Sequence, residues 1–236
     1  MNAEERKEYW LKFHRFQMRQ ELLYTPKINK VLKEQIQAYI KHRDVLYVRS
    51  AGMYEQLTKL YISVGPAWAW NTRSMMTKGD GQMGFSERVV AYMRQWFMEQ
   101  LLFDSENITQ TTIRLIQEVL SDAALEGWSF DDIVDKLVSP DMTASRARLI
   151  ARTETVGAAN GGSMVNASVT GLPLNKIWIS ARDERTRLHH QEVDNTIVPK
   201  DSTFKVGDSL MQYPGDKAGS AAEVCNCRCA VAFIPV

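Results

Sequence analysis

Cys225, Cys227 and Cys229 fall within five residues of one another, and no other cysteine occurs in the 236-residue chain. His189 and His190 precede them in the same third of the chain. Thiolate and imidazole are ligands that zinc prefers. Cys227 and Cys229 with His190, completed by Cys225 or His189, therefore form a zinc ligand inventory. A Cys-x-Cys pair is a less usual knuckle than Cys-x2-Cys, and the sequence has no second pair to match it. The same residue types also suit covalent catalysis, with Cys227 or Cys229 as nucleophile, His190 as base and Asp183 as orienter. A third reading is plain packing. Alternate residues of a strand point to one side, and cysteine packs as a small apolar group. A disulfide framework is not among the readings, because stabilising disulfides spread their cysteines to close long loops.

A second group of residues is charged. Arg148, Arg152 and Glu154 sit in a segment where Ile150 and Val156 supply apolar contacts. Arg148 and Arg152 are four apart and share a helix face. Glu154 requires a basic partner if it is buried, and Arg185, Arg187 and Arg228 are the candidates. Bidentate arginine–carboxylate bonds among these residues would clamp the helix onto a sheet. Asp183 and Thr186 are expected to cap the short helix that contains His189 and His190.

The elements that position these groups can be read from periodicity. Apolar residues from Trp10 to Ile40 recur at spacings of three and four, predicting helix, with Pro26 dividing the run in two after a Thr25 cap. Val45–Val48 is a short apolar run of either helix or strand. A further helix from about Ser50 is expected to end at Gly65-Pro66. Trp68 and Trp70 follow and are expected in an inter-helix corner, and residues 75–81 read as a connector. A helix from Ser86 to Phe103 and another from Thr109 to Leu125 are separated by Ser105-Glu106-Asn107. Ser129 and Asp132 form a capping box for a short helix through Leu137, which Pro140 stops. The next helix starts near residues 141–145 and continues towards Asn166, interrupted by Gly161-Gly162-Ser163. Lys176–Ser180 and Cys229–Ile234 read as strands. The fold class is α+β: a mainly helical region over 1–140, then a small α+β module over 141–236.

Charge is uneven. Residues 1–80 carry 14 Lys/Arg against 8 Asp/Glu, residues 81–170 carry 7 against 12, and residues 171–236 carry 8 of each. The basic excess at the start suits either a solvated helix surface or contact with double-stranded DNA. No window has the long apolar run that spans a bilayer, and the charged start has no signal-peptide character, so no membrane partner is expected. Phosphate-binding glycine loops and the His-Glu-x-x-His motif are absent from the sequence.

The order of motifs in the last two-fifths of the chain is specific. Arg148-Leu149-Ile150-Ala151-Arg152-Thr153-Glu154-Thr155 and Asn160 come first. Trp178, Ser180 and Asp183-Glu184-Arg185-Thr186-Arg187-Leu188-His189-His190 follow. Phe204-Lys205-Val206-Gly207 and Tyr213-Pro214-Gly215-Asp216 precede Asn226-Cys227-Arg228-Cys229. This series resembles the Mu F-like head-morphogenesis domain of phage minor head proteins. The resemblance implies a structural and assembly role in a phage head, in few copies at the portal vertex, with an effect on DNA packaging or ejection. Its implied partners are the portal protein and the major capsid protein or scaffold. The implied location is the virion, with host cytoplasm during assembly. It implies no enzymatic activity and no cofactor beyond the zinc that the ligand inventory allows. A cysteine- or zinc-dependent hydrolase carried in the head is the alternative. Some phage head proteins carry ADP-ribosyltransferase modules, but those use a Glu-x-Glu pair, which this sequence lacks.

Overall fold

The computed structural model describes residues 1–76 and 85–236. The expected connector therefore lies partly outside the described residues. Five helices dominate: α1 (Ala3–His42), α2 (Ala51–Thr72), α3 (Phe85–Glu126), α4 (Phe130–Leu137) and α5 (Ala144–Thr170). The remainder is β1 (Leu174–Ile179), α6 (Leu188–Glu192), β2 (Ile197–Pro199), β3 (Phe204–Val206), β4 (Ser209–Met211), α7 (Ala221–Val224) and β5 (Ala230–Pro235). This is the α+β class read from the sequence. β1 is the centre of an antiparallel sheet, with β2 on one side and β5 on the other. β3 and β4 form a separate hairpin.

The helices are fewer and longer than local signals suggest. α1 runs unbroken through Pro26, which is exposed on its outer surface. Proline there removes one backbone donor, and Leu22, whose carbonyl loses that partner, is itself an exposed residue, while packing on both flanks holds the helix. α3 likewise runs straight through Ser105-Glu106-Asn107. The buried Ser105 hydroxyl donates to the Leu102 carbonyl, and Thr109 donates to that of Ser105. Residues that favour caps are thus satisfied inside the helix. The Val45–Val48 run contributes a single 3-10 turn, Val45–Tyr47. The Ser129–Asp132 capping box opens α4 as expected.

α2 passes through Gly65-Pro66, and α5 through Gly161-Gly162-Ser163, because these are where the two helices touch. A Cβ on Gly162 would stand 2.3 Å from the Gly65 carbonyl oxygen. The glycines therefore permit close approach of two backbones instead of ending helices. Trp68, one turn on, is wholly buried among Tyr9, Phe13 and Phe16. Trp70 is exposed, with the Arg73 guanidinium over its ring.

One core runs from Tyr9 of α1 through α2, α3 and α5 to Phe233 of β5. It crosses the 140/141 division expected from the sequence. α1 is tied directly to the sheet: the Tyr9 hydroxyl donates to the Val231 carbonyl at 2.7 Å, and the Trp10 indole to that of Arg228 at 3.1 Å. A second cluster, around Ile36, Ile116 and Leu137, joins the far ends of α1 and α3 to α4.

Lys176 lies on the central strand with no exposed surface, its amine donating to Gln212 Oε1 at 2.5 Å. Burial pulls that amine down to about 8. Between pH 8 and the ordinary lysine value near 10.4, the unfolded chain binds more protons than the folded one, so burial of this lysine costs most below pH 8. Lys176→Met should therefore stabilise the chain by about 2 kcal/mol at pH 7. That advantage should shrink as pH rises through 8 to 10.5, which paired urea titrations of the two proteins would measure.

Candidate metal centre and its ion-paired surround

The Asn-Cys-Arg-Cys stretch enters β5 with its side chains alternating in direction. Cys227 and Cys229 point inward, each 2% exposed, while Asn226 and Arg228 point to the flanking elements. Asn226 adopts the left-handed region at φ 60°, which asparagine tolerates better than most residues. Its backbone N–H donates to Thr153 of α5. α6 brings His190, also 2% exposed, against the cysteines. Its Nδ1 lies 3.3 Å from Cys229 Sγ and 3.7 Å from Cys227 Sγ. His190 Nδ1, Cys227 Sγ and Cys229 Sγ all lie within 4.8 Å of one another. Cys225 stands outside this group. It is half-buried, and its carbonyl accepts from Arg187 at 2.5 Å.

Glu223 of α7 holds the other side of the histidines. Its Oε2 is 2.9 Å from His190 Nε2, and its Oε1 is 2.9 Å from His189 Nδ1. The backbone just beyond must come close. Gly207 has φ +56°, and a Cβ there would lie 2.6 Å from His189 Nδ1. This accounts for glycine at the end of Phe204-Lys205-Val206-Gly207. A hydrogen bond from Cys229, helped by His190, pulls Cys227 well below the usual thiol value, whereas burial pushes Cys229 up. The expected orienter Asp183 does not contact His190, so Glu223 occupies that place.

Asp183 instead pairs with Arg228, whose Nη2 donates to Oδ1 at 2.8 Å. The Arg228 hydrogen bonds hold the Asp183 carboxyl down at about 2. Asp183 also accepts from the Arg185 backbone and the Thr186 hydroxyl, so the two residues cap the turn before α6; the α6 cap position, Arg187, has no side-chain cap bond. Arg185 is exposed, 3.9 Å from Asp183. Arg148 is exposed too. Arg152 grips Glu21 of α1 through Nε at 2.9 Å and Nη2 at 2.8 Å, and reaches Asn226.

Glu154 faces away from all three arginines proposed for it. It is 3% exposed, pairs with Lys217 Nζ at 2.7 Å and accepts from the Tyr61 hydroxyl at 3.0 Å. Lys217 also meets Asp104 of α3 at 3.2 Å. The reason is helical phase: Glu154 shares a face with Gly157 and Gly161, where α5 meets α2 and the 213–217 loop. Gly215, at φ +86°, lies against Gly157, its would-be Cβ 2.9 Å from the Gly157 backbone. Asn160 completes the clamp, donating to the Pro214 and Cys229 carbonyls and accepting from Val231. Lys217 and Asp104 are the partners that sequence reasoning missed, and Glu223 is a third omission. The position of Lys217, immediately after Tyr-Pro-Gly-Asp, was the available signal.

A cleft of about 510 Å³, lined by Trp96, Phe97, Tyr213, Asp216 and Lys217 among others, lies on this side of α5. None of His190, Cys227 and Cys229 lines it.

Comparison with known proteins locates the module. A sequence profile described as Phage Mu protein F like protein matches residues 114–232. Minor head protein GP7 of Bacillus phage SPP1 is 34% identical over 96 residues, covering 39% of this chain and 31% of that protein. NAD(+)--arginine ADP-ribosyltransferase EFV of Enterococcus faecalis is 28% identical over 128 residues, covering 53% of this chain and 25% of that protein. The chain thus spans a third or less of the length of these curated relatives. No solved structure matches it.

Proposed function

From a chain that belongs to the phage Mu protein F like family, we propose a minor head protein of a tailed phage, acting in head assembly at the portal vertex and carried in the virion. The observation that supports this is that α5 and the cysteine stretch, both inside the family match at residues 114–232, are locked together with the sheet in one folded interior. The likeness to a phage minor head protein supports the same reading.

α1 offers the surface for partner contact. Its outer line carries Leu11, Arg15, Met18 and Leu22, about one turn apart, and Lys33 about three turns further on, all exposed. Apolar and basic side chains in one row suit a portal or inner-capsid protein, with DNA phosphates as a further contact whose binding would weaken steeply with salt. No described helix is long and apolar enough to cross a membrane.

The role proposed is not enzymatic. Cys227, His190 and Glu223 have the order of nucleophile, base and orienter, but they are enclosed, and the sequence lacks the Glu-x-Glu pair of ADP-ribosyltransferases. Cross-linking mass spectrometry on purified heads tests the placement. Cross-links from the lysines of α1 to the portal protein are expected. Cross-links confined to the major capsid protein contradict the portal position, and turnover of NAD(+) by the purified chain contradicts the structural role.

A further inference from the structure

We infer that His190, Cys227 and Cys229 bind one zinc ion that staples α6 to the start of β5. Zinc bonds of about 2.3 Å to sulfur and about 2.05 Å to nitrogen, at tetrahedral angles, place neighbouring ligand atoms about 3.6 Å apart. The two sulfur–nitrogen separations here are 3.3 and 3.7 Å. Both sulfurs therefore already stand at coordination spacing from the imidazole nitrogen, and the three ligand atoms lie within 4.8 Å of one another.

The surround fits a metal better than it fits simple packing. Glu223 accepts from His190 Nε2, which fixes the tautomer and leaves the Nδ1 lone pair facing the sulfurs. Its second oxygen is held by His189, so the carboxylate is itself anchored. The Cys229 backbone N–H points at Cys227 Sγ at 3.4 Å, an arrangement that stabilises a thiolate. Two thiolates and a neutral imidazole cancel the charge of a divalent ion, so the loaded centre brings no net charge into a buried site. Copper(I) on the same ligands would leave a net negative charge there. Zinc takes four ligands, and with Cys225 outside the group these three side chains supply three of them.

The consequence is structural. The ligands are separated by 37 and 39 positions in sequence, so the ion closes a loop that contains β2, β3, β4 and α7. Closing such a loop through a metal couples binding to folding of the module. This inference does not depend on the role proposed in the head.

The full chain, produced in zinc-supplemented medium and purified under reducing conditions, should carry close to one zinc per chain by elemental analysis. Cys229→Ser and His190→Ala should lose it, and Cys225→Ser should keep it. Those variants can fail to fold, so a measurement on the unaltered chain is decisive. Cobalt(II), added after the metal is stripped, should give a thiolate-to-cobalt charge-transfer band and the intense visible bands of a tetrahedral site. Its addition should also raise the melting temperature. Folded chain with less than about a tenth of a zinc and no charge-transfer band would overturn the inference. So would stoichiometric copper or iron in place of zinc, or loss of the metal in Cys225→Ser.

Discussion

Gly162→Ala is expected to destabilise the chain by about 3 kcal/mol, the upper end of ordinary overpacking costs. In an exposed helix the same change would be favourable by about 1 kcal/mol. The sign reverses here because the added methyl would meet backbone. It would lie 2.3 Å from the Gly65 carbonyl oxygen and 2.6 Å from the Gly65 Cα and carbonyl carbon. No rotamer change relieves such a contact, so α2 and α5 must separate. That separation would also pull Tyr61 from Glu154 and loosen Trp68 from its aromatic neighbours. Gly52→Ala is the control. A Cβ there meets only Val31, at 3.5 Å, so that variant should be neutral or slightly more stable. Urea midpoints of the two variants measure the difference, and equal effects would mean that the helix crossing is looser than described.

Lys217→Met is expected to cost about 3–5 kcal/mol at pH 7, because it strands Glu154 and Asp104 in the interior without a cation. Their side chains are 4% and 12% exposed. Two carboxylates left together have folded-state values above those of the unfolded chain. The unfolded chain then gives up its protons first as pH rises, so the variant loses stability between about pH 4 and 7. Relative to the unaltered protein, the deficit should be small near pH 4 and largest at neutrality. Glu154→Gln keeps the Tyr61 contact and leaves Lys217 paired with Asp104, so its cost should be smaller, about 1–2 kcal/mol. Thermal unfolding across pH separates the two cases.

Much of the site was legible because it depends on short-range periodicity. Cys227 and Cys229, two residues apart in the stretch that leads into β5, both face inward, and a histidine from the preceding helix was the natural third group. Partners that come from loops were not legible. Glu154 had three conspicuous arginines to choose from, and it took a lysine from a turn, since its helical phase sets it on the α2 side with Gly157 and Gly161. Glu223 lies in a one-turn helix without an amphipathic signal of its own.

The fold shows the same division. Strand β1 and the α4 capping box follow from local chemistry. The helix ends expected at Pro26, Gly65-Pro66 and Ser105, and the interruption expected at Gly161, do not occur, because tertiary packing outweighs a local breaker. A proline on the outer face loses one bond, and a glycine at a crossing gains a close contact that no other residue allows. Paired glycines at matching positions on two predicted helices were the sign of a crossing, and Gly65 with Gly162 is such a pair.

Quantitative mass spectrometry of purified phage heads assembled in the presence of this chain's gene product decides whether it is a minor head protein. A minor head protein should be found intact in the particle, in far fewer copies than the major capsid protein. Its absence from heads and their precursors, or its presence at the copy number of the capsid lattice, would contradict a minor head protein.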